Sequence, residues 1–387
     1  MTRVGLTAAG CVCAAGVGAQ TLWDGLLAGR SFVAPSPCFL EGTAPVGRVP
    51  DDALPARGED RALTLLSSAA AQIEASSAWS RVAGLDPARV GLCVGTTQGP
   101  IETWTADQAR LREDPTHRPA TPALAGPVHA LAARLGIAGP LACPSMACAS
   151  STAAIGIAMD WLRDGRCDAA VAGGVDSLSA FVHQGFKNLR ALDPARPRPF
   201  DARRAGLCLG EGAGLVLLEA GANAEVQLLG RGLSSDANHI TGPDPSGAGV
   251  ARAMAAALRD AGLTPAEVGF VNAHGTATVF NDLMEAKALH LALGERARAV
   301  PVNSIKGALG HSMGAAGALE AVLCSLVLRR GRIPPTANLE QLDPAIDLDV
   351  VQGAPRTLTA GCVISTSSGF GGINAALVLG PPEMARN

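Results

Sequence analysis

Residues 144–177 read "PSMACASSTAAIGIAMDWLRDGRCDAAVAGGVDS". The segment has three parts. "MACASS" is a run of small residues around a single thiol, Cys148. "STAAIGIAMDWLRDG" (151–165) carries apolar residues at helical spacing, with arginine in its last turn and glycine at its end, ordinary terminators of a helix. "DAAVAGGVDS" (168–177) is apolar on both faces, as a strand covered on two sides must be. A small-residue turn, a helix and a buried strand in that order point to an α/β protein with sheets enclosed by helices.

The same grammar extends in both directions. Strands are expected at "RVGLTAAG" near the N-terminus, 89–97, 212–220, 268–275, 362–369 and 373–380. Helices are expected at "TLWDGLLAG", 62–79, 250–262 and 315–331. There is also an internal echo. Laid over residues 317–332, the helix 151–166 places Leu162, Arg163, Gly165 and Arg166 on Leu328, Arg329, Gly331 and Arg332. On that offset Cys148 falls on Gly314. Two related halves are therefore expected, 1–225 carrying the thiol and 226–387 carrying the histidines described below.

With 387 residues, 48% hydrophobic and 17% charged, the chain has ample material for a large core and a lightly charged surface. A net charge of −3 gives no bulk attraction to nucleic acid, and 3% aromatics with no tyrosine leave few platforms for base stacking. The N-terminal "MTRVGLTAAGCVCAAGVGAQ" crudely resembles a secretory signal, but Thr7, Gly10, Gly16 and Gly18 break its apolar run, and a strand and helix fit better. No uninterrupted apolar stretch of ~20 residues suggests a membrane span. Ten cysteines lie scattered, mostly in apolar runs, which reads as buried thiols in a reducing cytoplasm and not as a disulfide scaffold.

Three segments hold reactive groups among small residues. Cys148 precedes a helix, whose N-terminus favours thiolate and whose free N–H groups can hold an oxyanion. His274, in "VNAHGTATVFND" (271–282), follows a strand, where α/β proteins build sites. His311, in "NSIKGALGHSMGAAGA" (303–318), lies five residues after Lys306. Imidazoles donate hydrogen bonds to carbonyl and enolate oxygens at neutral pH. Two histidines and a thiol also admit a metal, although no helical ligand spacing supports one.

These motifs, together with "RPRPFDARRAGLCLGEGAGLVLLE" (196–219), "SSGFGGINAALVL" (367–379) and "WDGLLAGRS", resemble the β-ketoacyl-[acyl carrier protein] synthases in order along the chain. The resemblance implies the thiolase-like fold, a five-layer αβαβα arrangement of two duplicated halves, usually dimeric, without metal or redox cofactor. It implies a Cys148–His274–His311 triad supported by Lys306, with Glu285 as the lysine's counter-charge. Phe370 would be a gate and, with Cys148, an oxyanion donor. Thr276 and Thr278 would hold the pantetheine arm, and Gly371, Ser368 and Ile373 would shape the acyl site. The implied reaction joins an acyl group on Cys148 to malonyl-acyl carrier protein with loss of CO2. The implied partners are the carrier protein and a second, identical or related subunit.

Ser368 and Ile373 replace the phenylalanine and threonine common around this glycine-rich turn, and Leu207 and Leu209 replace a common phenylalanine and methionine. These departures suggest a ketosynthase of polyene or polyketide type. Two other readings are a non-catalytic chain-length-factor-like subunit, which commonly lacks the cysteine, and a thiolase, which uses a second cysteine where "TSSGFGGIN" has none.

Overall fold

The computed structural model describes residues 2–37, 43–55, 60–120 and 123–385. Nine strands carry the architecture: β1 (Val4–Cys13), β2 (Val90–Gly95), β3 (Ala169–Asp176), β4 (Gly212–Ala220), β5 (Val226–Ser235), β6 (Val268–Asn272), β7 (Pro301–Asn303), β8 (Cys362–Gly369) and β9 (Ile373–Gly380). The helices that cover them are α1 (Ala19–Leu27), α2 (Arg61–Glu74), α3 (Gly126–Leu135), α4 (Ser150–Arg163), α5 (Ala180–Asn188), α6 (Ala248–Ala261), α7 (Val279–Leu293) and α8 (Ala316–Arg330).

Hydrogen bonds connect the strands in the order β7-β6-β8-β9-β5-β1-β4-β3-β2, with short edge strands Asp349–Val350 beyond β7 and Leu141–Ala142 beyond β2. On one side β1 pairs antiparallel with β4, β4 antiparallel with β3, and β3 parallel with β2. On the other side β5, β9, β8 and β6 repeat that sequence of directions. Among the described residues the two sides pair as strands only where Gly5 and Leu6 face Gln227 and Val226.

Alternation along the strands builds the layers, because successive side chains leave opposite faces. In β4, Leu215 and Leu217 face α2 and α3, while Val216 and Leu218 face the central helices α4 and α8. In β9, Ala376 and Val378 face α6 and α7, while Leu377 and Leu379 face the same central pair. Helices, sheet, helices, sheet and helices thus stack in five layers. This is the expected αβαβα arrangement.

The central helices touch closely. A Cβ at Gly317 would lie 1.9 Å from Thr152 Oγ1, and Ala318 N–H donates to Ser151 Oγ at 2.9 Å. α4 begins at Ser150 and α8 at Ala316, on the offset that relates the two sequences. The strand expected at 268–275 ends at Asn272, and the helix expected at 62–79 breaks after Glu74, where Ser76 caps a separate turn, Ser77–Val82. All nine described cysteines are free thiols, and Cys38 lies outside the described residues. No helix among the described residues is long and apolar enough to cross a membrane.

Candidate active site

Cys148 sits on the tight turn before α4. Ala147 adopts a left-handed backbone (φ 49°), and Ser150 Oγ seals the turn by accepting from Met146 N–H at 2.8 Å and donating to the Ala147 carbonyl at 2.6 Å. His311 follows the short helix Lys306–Leu309 and Gly310 (φ 74°). Its backbone is clamped on both sides by the "GLCLG" segment: His311 N–H donates to the Cys208 carbonyl at 2.7 Å, and its own carbonyl accepts from Gly210 N–H at 2.8 Å. His274 leaves the end of β6, and its N–H donates to Glu285 Oε1 at 2.6 Å and to Thr366 Oγ1 at 3.2 Å.

These turns bring the three reactive groups together. His311 Nε2 lies 3.0 Å from Cys148 Sγ, and the two imidazoles meet edge to face at 5.3 Å. All three residues are buried. His311 Nδ1 accepts Met313 N–H at 3.2 Å, so the neutral ring carries its proton on Nε2, facing the sulfur. His274 Nδ1 is buried with no partner among the described residues.

Burial, reinforced by the Lys306 charge, holds both histidines well below the usual imidazole range, so they are neutral hydrogen-bond donors at neutral pH. Burial also pushes the Cys148 thiol up to about 12, although Lys306 pulls the other way. This runs against the expectation of a thiolate favoured by the helix end, because burial disfavours the charged sulfur.

The lysine's partner is a second correction. Lys306 Nζ pairs with Glu320 on α8, both side chains being buried. Glu285 feels the Lys306 charge without pairing with it, and its oxygens accept the N–H groups of His274 and Gly275 and the hydroxyl of Thr366, at 2.6, 2.7 and 2.9 Å. It anchors the His274 turn. Glu320 was missed in the sequence, where its only signal is a single carboxylate inside "AAGALEAVLCSLVL". Asp282, carried up to about 6 by burial, accepts from Phe200 N–H and Ala277 N–H at 2.8 and 3.2 Å and fixes the far end of the same turn.

A cavity of about 350 Å³ opens over the triad. Thr276, Thr278, Ser368 and Phe370 line it, as does Leu207. The hydroxyls of Thr276 and Thr278 bond each other at 2.9 Å. Gly371 and Ile373 do not line it: Gly371 (φ 83°) donates to the Ile240 carbonyl at 2.7 Å, and Ile373 pairs with Gly369 and Ser235 in the sheet. The Phe370 ring stacks on Phe186 of α5 at 5.3 Å across the cavity mouth. Gly369 lies against the Cys148 backbone, for a Cβ there would fall 3.2 Å from Cys148 N.

The three donors lie within 4.8 Å of one another, close enough to consider a metal. The Nε2 proton of His311 argues against it, since ligation through that atom would turn Nδ1–H against Met313 N–H. The arrangement suits hydrogen-bond donation toward a thiol-bound substrate. Fold and site together are those of a thiolase-like enzyme with a buried thiol and two imidazoles at the floor of its cavity.

Residues 1–224 match the family described as "Beta-ketoacyl synthase, N-terminal domain", and 226–340 match its C-terminal domain. The chain is 34% identical to 3-oxoacyl-[acyl-carrier-protein] synthase 2 of Synechocystis sp., over 97% of each chain. It is 34% identical to the tetracenomycin polyketide synthase ketoacyl synthase alpha subunit of Streptomyces glaucescens, over 100% of this chain and 98% of that one. Among solved structures it resembles a chain of the ketosynthase–chain length factor complex from Xenorhabdus doucetiae, with a TM-score of 0.89, 32% identity and 98% of both chains covered. The chain belongs to the β-ketoacyl synthase family.

Proposed function

We propose that the chain catalyses decarboxylative Claisen condensation on acyl carrier protein, in fatty-acid-like or polyene and polyketide assembly. The observation that carries this is the 3.0 Å approach of His311 Nε2 to Cys148 Sγ, with the His274 ring beside it at the floor of one cavity.

In the first half-reaction the Cys148 sulfur attacks an acyl thioester and the carrier's thiolate leaves with the proton the cysteine gives up. No net proton is needed, which suits a thiol that rests protonated. The N–H groups of Cys148 and Phe370 stabilise the oxyanion. In the second, the malonyl carboxylate departs as CO2, its bonding pair passes into an enolate, and His274 and His311 donate to the enolate oxygen. The enolate carbon attacks the acyl carbonyl, the bond to Cys148 breaks, the freed sulfur takes up one proton from solvent to restore the thiol, and a 3-oxoacyl thioester leaves.

Burial, reinforced by the Lys306 charge that Glu320 holds, keeps both rings neutral, and Glu285 positions His274. Thr276 and Thr278 take the pantetheine arm. The small Ser368 leaves the Phe370 gate room for a rigid, unsaturated acyl group. We read the fold as two related halves, 1–225 and 226–387, a reading supported by the repeated strand order. We read the protein as a cytoplasmic enzyme working with a second ketosynthase-like subunit, as the Xenorhabdus ketosynthase does with its chain length factor.

The test is intact-mass analysis after mixing with acyl-carrier protein, paired with malonyl decarboxylation. One acyl adduct on Cys148 is expected. In His274→Ala and His311→Ala the adduct should persist while decarboxylation falls by roughly 10²-fold, the scale of a lost transition-state donor. A wild-type chain that takes no adduct is a non-catalytic partner subunit instead.

A further inference from the structure

Asp176, the last residue of β3, has no part in the chemistry above, yet it is fully buried and heavily bonded. Its Oδ1 accepts from Thr96 Oγ1 at 2.7 Å and from the N–H groups of Thr97 and Gln98, each at 3.0 Å. Its Oδ2 accepts from Thr97 Oγ1 at 2.6 Å, from Thr97 N–H at 3.2 Å and from Gly314 N–H at 2.7 Å. The last contact reaches the other half of the molecule and ends one residue from Met313, whose own N–H points at His311 Nδ1.

Met313 is held in a left-handed backbone (φ 50°), and such strain persists only where the surroundings impose it. Two bonds impose it here: Gly314 N–H to the carboxylate, and Gln98 Nε2 to Met313 Sδ at 3.5 Å. Gln98 is itself tied to Asp176 by its backbone and to Ser177 and Ser179 by its side chain. Gly314 must lack a side chain, since a Cβ would sit 2.7 Å from Asp176 Oδ2.

We propose that Asp176 is a positioning residue: by holding Gly314 it aims Met313 N–H at His311 and so locks the tautomer that presents Nε2–H to the sulfur and the enolate. This deepens the proposed condensing function and rests on it. A carboxylate suits the task because it offers only acceptors to this ring of donors, whereas an amide in the same place would turn N–H against N–H. With the amide oxygen kept on the Thr97 and Gln98 N–H groups, two donors against one, its NH2 turns against Gly314 N–H and that bond is lost.

The experiment uses the full chain labelled with [¹⁵N]histidine, comparing wild type with Asp176→Asn by nitrogen NMR and by the two half-reactions. Wild type should show His311 as a single Nε2–H tautomer. Asp176→Asn should show mixed tautomers and ~10-fold slower malonyl decarboxylation in kcat, as for a weakened transition-state donor. Acylation of Cys148 and the KM for malonyl-carrier should stay within ~3-fold, because neither uses that proton. Gly314→Ala keeps the carboxylate but drives a methyl into its space, and it should carry the same signature if Asp176→Asn does not fold. A pure Nε2–H tautomer in a folded variant, or equal losses in both half-reactions, overturns the proposal. A wild-type chain inactive in both half-reactions would instead overturn the functional reading, leaving the tautomer result to be judged separately.

Discussion

Two turns of the molecule have the same shape and opposite duties. Residues 146–149 and 312–315 each lead into a central helix, and each holds a non-glycine residue in the left-handed region, Ala147 at φ 49° and Met313 at φ 50°. The next residue is Cys148 in one and Gly314 in the other. In the first turn Ser150 Oγ ties off the backbone, and the cysteine side chain is free to enter the cavity. In the second, Asp176 occupies the place where a side chain would begin. One backbone bend serves once to expose a reactive atom and once to brace its neighbour. Geometry alone therefore does not make a site; what fills the space beside it does.

The largest test of that contrast is at the thiol. Cys148→Gln should abolish condensation, by ~10⁴-fold or more, since no other nucleophile stands in the turn. It should still decarboxylate malonyl-carrier, because the amide imitates an acylated cysteine and the histidines are untouched. Parallel condensation and CO2-release assays decide the matter. Loss of both would mean that the two turns do not divide the labour.

A smaller effect separates the strained residues themselves. Left-handed backbone costs a non-glycine residue about 1–2 kcal/mol, so glycine relieves either turn. Ala147→Gly should therefore change stability by less than about 1 kcal/mol, relief being offset by the entropy glycine loses on folding. Met313→Gly should lower it by about 2 kcal/mol, because its side chain is buried against Val46, Leu207 and Leu209 and leaves a cavity. Urea titration of both variants reads the difference, and equal outcomes would remove the packing role assigned to the second turn.

The smallest effect is with pH. His274 and His311 are depressed below 6.5 by burial and by Lys306. Below that value the unfolded chain protonates them while the folded chain does not. The unfolded state then binds more protons, so stability falls as pH drops from about 6.5 toward the depressed folded values and is fully present above it. The kcat for malonyl decarboxylation should accordingly show no acid limb centred near 6.5. A limb there would show that the rings titrate as exposed imidazoles do.

Much of this was legible in the sequence. Strands 212–220, 362–369 and 373–380 end where the pattern says, each being bounded by a glycine, at 212, 369 and 380. The triad was legible because each member stands alone among small residues. β5 was not, since Gly230 and Gly232 read as turn signals. In the fold they are packing contacts: a Cβ at either would lie 2.3 or 2.0 Å from the carbonyls of Ala257 or Ala253 on α6. α7 escaped as a helix because Asn281, Asp282 and Glu285 are buried beside its apolar residues, leaving no clean stripe. Glu320 escaped because its partner lies 14 positions away on another element, and no local spacing marks a buried ion pair.

The seam between β1 and β5 has a mechanical consequence. Only two residue pairs join the half-sheets there, against eight pairs between β1 and β4. The molecule resembles two plates riveted through their faces, with α4 and α8 as the rivets, and barely welded along their edge. A force that prised the plates apart would meet its resistance at the Gly317–Thr152 contact, where the threonine side chain seats against the glycine. Once that contact gave way, a few residues from the Cys148 turn and the turn that braces His311, catalysis would fail before either plate had lost its shape.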